Sequence, residues 1–239
     1  MDTIKINKQN TKMIAHRGLS GIETENTNAA FIAAGNRSYY GIETDVHRTA
    51  DGKIVVCHDN DLKRIAGVDI SVETSTLAAL QSIVLFDKDG TKDRNDLRLT
   101  VLENYIAICK HYEKHCVLEL KSAFTDAEIL QIIDIIRSYD YLEQVTFISF
   151  CYDNLLKIRK YLPDQSAQFL FTAVTDDLID RLLADRLDID IHYQALTKEL
   201  VRLFHEKGFV VNCWTVDNPE RAAELISWGV DQITSNILE

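Results

Sequence analysis

The 239-residue sequence predicts an α/β fold, specifically a (β/α)8 barrel, on three observations. Short apolar runs rich in β-branched residues alternate with amphipathic stretches from end to end, the pattern of strand–helix units around a parallel sheet. Several of these runs end in a polar word: His16-Arg17-Gly18, Glu43-Thr44-Asp45, His58-Asp59 and Glu119-Leu120-Lys121. Such words recur along the whole chain, as far as Trp214. An open doubly wound sheet would gather them near one switch point, whereas a barrel brings every strand end to the same face.

Strands are expected at 12–16, 41–46, 53–58, 116–121, 144–149, 167–171, 187–191, 209–214 and 230–234. Helices are expected near 27–36, 101–114, 125–139, 152–161, 176–184, 196–207 and 219–228. Asn26-Thr27, Thr125-Asp126 and Thr197 supply N-cap chemistry, and Asp217-Asn218-Pro219 adds a proline at the first turn. Gly35, Gly208 and Gly229 stand where C-caps are expected. The run at 53–58 follows its predecessor through the tight turn Ala50-Asp51-Gly52, so it is a hairpin-like addition or the continuation of a barrel strand. Residues 60–99 break the rhythm, with weak apolar patterning and the charged run Asp87 to Arg94. They read as an excursion from the barrel after the second strand, and a segment that long in a compact domain is usually functional. The chain is therefore expected to form one barrel domain over 1–239, with an insertion at about 60–99.

Composition narrows the function. The hydrophobic fraction of 46% and charged fraction of 26% are those of a soluble globular protein. A formal net charge of −11 repels nucleic acid, while a local cation can still admit a small anionic ester. The five cysteines, Cys57, Cys109, Cys116, Cys151 and Cys213, lie inside apolar runs without a CxxC pair. They read as buried reduced thiols, which fits a reducing, cytoplasmic setting. Residues Met1 to Lys12 are polar and lack the apolar core of a signal peptide, and no run approaches the ~18 apolar residues of a membrane span. Nothing in the sequence indicates an oligomeric state.

The polar words carry the chemistry. On a strand, Glu43, Asp45 and His47 share one face. Two carboxylates one pleat apart, with Glu119 from another strand, suit a hard divalent cation, Ca²⁺ or Mg²⁺ rather than zinc. The plainer alternative pairs each acid with Arg17, Lys121 or Arg48, and the convergence of three acids favours the metal. His16 and His58 are the expected acid and base, because imidazole titrates near neutrality. Asp59 by alternation points away from His58 and is expected to brace the loop, and His47 stands apart from the pair. His111, His115, His192 and His205 are read in helical or loop contexts and receive no chemistry. Arg17, bidentate, and Lys121, a point charge, are the expected phosphate clamps. Trp214 brings a flat ring to the same face, as a pocket wall or as core. No glycine-rich phosphate loop and no GxSxG elbow is present.

Together these words resemble the glycerophosphodiester phosphodiesterases, within the superfamily of phosphatidylinositol-phosphodiesterase-like barrels. The likeness rests on His16-Arg17-Gly18 with Glu25-Asn26-Thr27 and Ala30-Phe31, then Ile42 to Val46, Thr49 to Gly52 and Val55 to Asp59. It continues through Leu118 to Lys121, Ser149-Phe150, Gly208 to Val216, and Gly229 to Asp231 with Ile233-Thr234. The resemblance implies a barrel with a cap inserted after the second strand, His16 and His58 as the acid–base pair, and Glu43, Asp45 and Glu119 as ligands of one divalent cation. It further implies that Arg17 and Lys121 hold phosphate and that Trp214 borders a glycerol pocket. Two departures stand out: Ser235-Asn236-Ile237 replaces an aspartate and proline common after the last strand, and Leu99 to Glu103 lacks the usual proline.

The expected reaction is hydrolysis of a glycerophosphodiester to sn-glycerol 3-phosphate and an alcohol. The resemblance implies attack by the substrate's own 2-hydroxyl and a cyclic phosphate opened by water. The sequence does not decide which histidine is the acid, and His58 is taken as the base. A rival is a lysophospholipase D-type diesterase, which would need an apolar entrance drawn from Val68, Ile70, Leu77, Leu80, Ile83, Val84, Leu85 and Phe86. A non-catalytic phosphodiester-binding protein is the second rival, and the intact histidines and acids argue against it.

Overall fold

The computed structural model describes residues 2–175 and 177–239. Among these, eight parallel strands close into a barrel: β1 (Lys12–Ala15), β2 (Gly41–Arg48), β4 (His115–Leu120), β5 (Val145–Ser149), β6 (Ala167–Phe171), β7 (Asp188–His192), β8 (Val211–Trp214) and β9 (Gln232–Ser235). The ring is sealed where β1 pairs with β2 on one side and with β9 on the other. β3 (Ile54–Val56) lies antiparallel on the end of β2, with Val56 opposite Val46, so the run at 53–58 is a hairpin addition.

The outer layer is helical: α1 (Asn28–Gly35), α4 (Leu102–His111), α5 (Asp126–Ser138), α6 (Tyr152–Tyr161), α7 (Leu178–Asp185), α8 (Lys198–Glu206) and α9 (Pro219–Ser227). α5 shows why the expected helices form. Thr125 and Glu128 build a reciprocal capping box, and Ile129, Ile132, Ile133 and Ile136 make one buried stripe. Burying each such side chain stabilises by about 1.5–3 kcal/mol. Thr27, Thr197 and Asn218 cap α1, α8 and α9. Gly208 and Gly229 follow the last helical turns with φ of +85° and +88°. Gly35 is different. It is the last residue of α1, and a Cβ there would meet the Tyr112 ring at 2.5 Å, so close packing demands glycine rather than a cap. The expected start of the helix at 176 lies outside the described residues; α7 begins at Leu178. His115 and His192, read as helix or loop, instead open β4 and close β7.

Strand alternation sorts the core into two parts. Ile42, Val46, Leu118 and Leu120 pack outward against the helices. Ile14, Val117, Ile148 and Leu170 fill the barrel interior beneath Trp214. Residues 60–99 carry their own apolar cluster, including Leu62, Ile65, Val72, Leu80, Leu85 and Leu97, set against Val55 and Cys57. Two short helices, α2 (Lys63–Ala66) and α3 (Leu77–Gln81), form within it. No helix among the described residues is long and apolar enough to cross a membrane.

Candidate active site

The strand-end words converge at the C-terminal mouth of the barrel. Register places Asp45 beside Glu119 on adjacent β2 and β4. Glu43, Asp45 and Glu119 bring carboxylate oxygens within 4.8 Å of one another, and all three are buried. Burial, then repulsion from its neighbours, pushes Glu43 well above the usual carboxylate range and Glu119 up to about 8. Burial acts on Asp45 in the same direction, but Arg17 and Lys121 outweigh it and hold that carboxyl low. Lys121 Nζ stands 2.9 Å from Glu119 and 3.6 Å from Asp45. Asp45 Oδ1 is buried with no hydrogen-bond partner among the described residues. Two cations facing three acids, with a carboxylate oxygen left over, make an all-oxygen donor set that fits a hard divalent cation.

The turn after β1 explains the His-Arg-Gly word. Arg17 adopts φ +52° and Gly18 φ +76°, and a Cβ on Gly18 would lie 2.7 Å from Ala30. This tight turn points the Arg17 N–H at Glu43 Oε2, 2.8 Å away, and lays the guanidinium over Asp45 and Glu25. Asn26 also has positive φ, and its Nδ2 donates to Asp45 Oδ2 at 2.8 Å while Thr44 Oγ1 donates to its Oδ1.

The two histidines are held differently. His16 Nδ1 lies 2.7 Å from Asn236 Oδ1, which also accepts from Ser20 Oγ. Asn236 Nδ2 donates to Asp217, which fixes the amide so that Nδ1 of His16 carries the proton. Burial, with Arg17 alongside, lowers His16 to about 4, leaving Nε2 free and unprotonated. His58 Nδ1 lies 2.7 Å from Asp59 Oδ1. Asp59 therefore grips the histidine that alternation had turned it away from, because β3 ends at Val56 and the pleat does not extend to 59. Arg64 on α2 donates to Asp59 Oδ2 at 2.7 Å and to both oxygens of Glu25, which accepts from Arg17 at 2.9 Å. A continuous charged chain thus runs from His58 through the insertion to Arg17. His47 Nε2 sits 3.3 Å from the His58 carbonyl, and its Nδ1 faces Ser122, so it supports the loop.

His16, Arg17, Glu43, His58, Glu119, Lys121 and Trp214 all line one cleft. Trp214 packs edge-on against Phe150 and His192, with centroids 5.6 and 5.1 Å away.

The family model described as the glycerophosphoryl diester phosphodiesterase family matches residues 16–238. The chain belongs to that family. It is an enzyme of the phosphoric diester hydrolase class. Among relatives of the glycerophosphoryl diester phosphodiesterase family, a glycerophosphodiester phosphodiesterase of Caldanaerobacter subterraneus subsp. tengcongensis is 28% identical, over 95% of this chain and 94% of that one. An Oleispira antarctica phosphodiesterase, solved in complex with the product sn-glycerol-3-phosphate, superposes with a TM-score of 0.88 at 24% identity, covering 98% of this chain and 96% of that one. A glycerophosphodiester phosphodiesterase from Parabacteroides distasonis gives a TM-score of 0.80 at 28% identity, over 96% and 94%.

The eight site residues expected from the sequence all come together in this family member. Sequence reasoning missed Glu25, Arg64, Asp190 and Asn236. Asp190 lines the same cleft from the middle of β7, so it carried no strand-end signal in the sequence.

Proposed function

We propose that the protein hydrolyses glycerophosphodiesters to sn-glycerol 3-phosphate and an alcohol, with His16 and His58 as base and acid and one divalent cation held by Glu43, Asp45 and Glu119. The carrying observation is that three buried carboxylates and two differently tethered imidazoles share one cleft with Arg17 and Lys121. When bound, Ca²⁺ or Mg²⁺ supplies positive charge that offsets the charge developing on phosphate oxygens. Arg17 and Lys121 orient the phosphate.

The tethers argue for the reverse of the roles taken from sequence. His16, neutral and hydrogen-bonded to an amide, offers Nε2 as the base for the glycerol 2-hydroxyl. Oxygen O2 bonds to phosphorus as the bond to the alcohol oxygen breaks. Burial lowers His58 as well, against the pull of Asp45 and of the Asp59 carboxylate that supports its imidazolium, and His58 gives that oxygen its proton from Nε2. Water then opens the cyclic phosphate with the roles exchanged. The 60–99 insertion serves as a cap, and the chain works as one barrel unit. The free cysteines support a reducing, cytoplasmic location. Of the residues the lysophospholipase D-type reading would need at an apolar entrance, Leu80 and Leu85 are buried and Ile70, Leu77 and Ile83 pack against that same cluster, which leaves only Val68, Val84 and Phe86 to supply one.

The test is glycerol 3-phosphate release across a headgroup panel, with chelator and with Ca²⁺ or Mg²⁺ restored. Chelation should abolish release, and His16→Ala and His58→Ala should each lower kcat by about 10²–10⁴. Full turnover under chelation would remove the cation. Equal kcat for the natural and 2-deoxy esters would replace the 2-hydroxyl by water as the attacking group.

A further inference from the structure

Three adjacent strands on the wall opposite the acidic cluster each present a buried polar atom with no hydrogen-bond partner among the described residues. These are Asp190 Oδ1 on β7, Asn212 Oδ1 on β8 and Thr234 Oγ1 on β9. Asp190 and Asn212 face each other in register, and Asp190 and Thr234 both line the cleft. Asp190 stands in register with Leu170 and Thr234 with Ile14, residues that fill the barrel interior beneath Trp214, so both lie at the floor, whereas Phe150 at the mouth is 47% exposed. Asp190 has Leu170 beside it in register, and the Trp214 indole N–H bonds its backbone carbonyl rather than its side chain. Buried polar groups are almost always paired, and leaving one unpaired costs about 1–3 kcal/mol. An aspartate at the floor of a substrate cleft with a free carboxyl is therefore built to meet a polar group that arrives with the substrate.

We propose that Asp190, assisted by Thr234, hydrogen-bonds the 1-hydroxyl of the substrate's glycerol moiety and so selects a free glyceryl ester. The inference rests on the function proposed above and extends it to the substrate's far end. The headgroup varies between substrates and must reach the open mouth, which leaves the constant glycerol end for the floor. With the 2-hydroxyl committed to phosphorus, the 1-hydroxyl is the remaining donor and acceptor. An acyl chain at that position would have to enter a closed barrel past a polar carboxyl, so 1-acyl lysophospholipids are excluded by the same residue.

The experiment compares sn-glycero-3-phosphocholine with its 1-deoxy analogue, which keeps the attacking 2-hydroxyl. Both substrates are measured on each preparation, so partial misfolding cancels from the ratio. Wild-type kcat/KM should favour the natural ester by about tenfold or more, the worth of a hydrogen bond to an otherwise unpaired group. Asp190→Leu should bring the ratio to within about twofold, Asp190→Asn should retain most of it, and Thr234→Val should lower it partially. Equal wild-type rates on the two esters, or a ratio unchanged in Asp190→Leu and Thr234→Val, would overturn the inference while leaving the hydrolase reading intact. A wild-type protein that releases no choline from either ester removes both.

Discussion

Asn236 shows how much one uncharged side chain can decide. In the sequence it marks only a departure from the family's ending, yet its Oδ1 accepts a hydrogen bond from the Nδ1–H of His16 and brings no charge with it. Burial, with Arg17 alongside, lowers the imidazole to about 4, and the neutral amide opposes this only weakly. Placing a carboxylate there should favour the imidazolium and raise the base's pKa by about 1–3 units. A base must be unprotonated to act, so the acid limb of kcat/KM in Asn236→Asp is expected to move to higher pH. An unmoved limb in an active variant would take His16 out of the base role. His16, Glu43, Asp45, His58, Glu119 and Lys121 were legible because each ends an apolar run, where charge needs an explanation. Asp59 was misread because its backbone has left the strand, and a lone amide such as Asn236 carries no pattern at all.

At the scale of elements, the insertion matters for what it holds in place. α2 contributes Arg64, whose fork spans Glu25 and Asp59 and so ties the Arg17 turn to the His58 loop. Arg64→Met should leave both carboxylates without their shared cation and lower kcat by about 10–100-fold. Arg64→Lys should recover only part of that, since an ammonium cannot reproduce the planar bidentate contact. Steady-state kinetics with a full pH profile checks this, and an unchanged His58-dependent limb in Arg64→Met would reduce the chain to a surface brace. The seven longer helices were readable from caps and apolar stripes. α2 and α3 were not, because helices of four and five residues are too short to display a 3.6-residue period.

Across the whole molecule, the barrel concentrates like charge inside an already acidic protein of net charge −11. Glu119 titrates at about 8 when folded, against an ordinary 4.5, and Glu43 shifts in the same direction. Between those limits the folded state holds protons that the unfolded chain has released, so metal-free protein should lose stability as pH climbs from about 4.5 through about 8. A divalent cation, which needs the carboxylates deprotonated, should raise Tm by an amount that grows over the same range. Scanning calorimetry with and without Ca²⁺ checks both slopes; a cation effect that shrinks with pH would place the metal elsewhere. The barrel itself was legible because parallel strands all deliver their chemistry to one end. Its seam was not, since no local pattern states which strand meets the first.

That seam sets an order of events in folding. His16 and Asn236 lie 220 residues apart, and β1 finds its second neighbour only in β9. A growing chain on the ribosome can build most of its strand–helix units early, but the first histidine has nothing to lean on until the last strand arrives. Long-range closure of this kind is slow compared with local helix formation. In refolding from denaturant, hydrolytic activity should therefore return after the far-ultraviolet dichroism has recovered. Helical signal would mark a chain that is already wound but still open, with its chemistry waiting on the final stave.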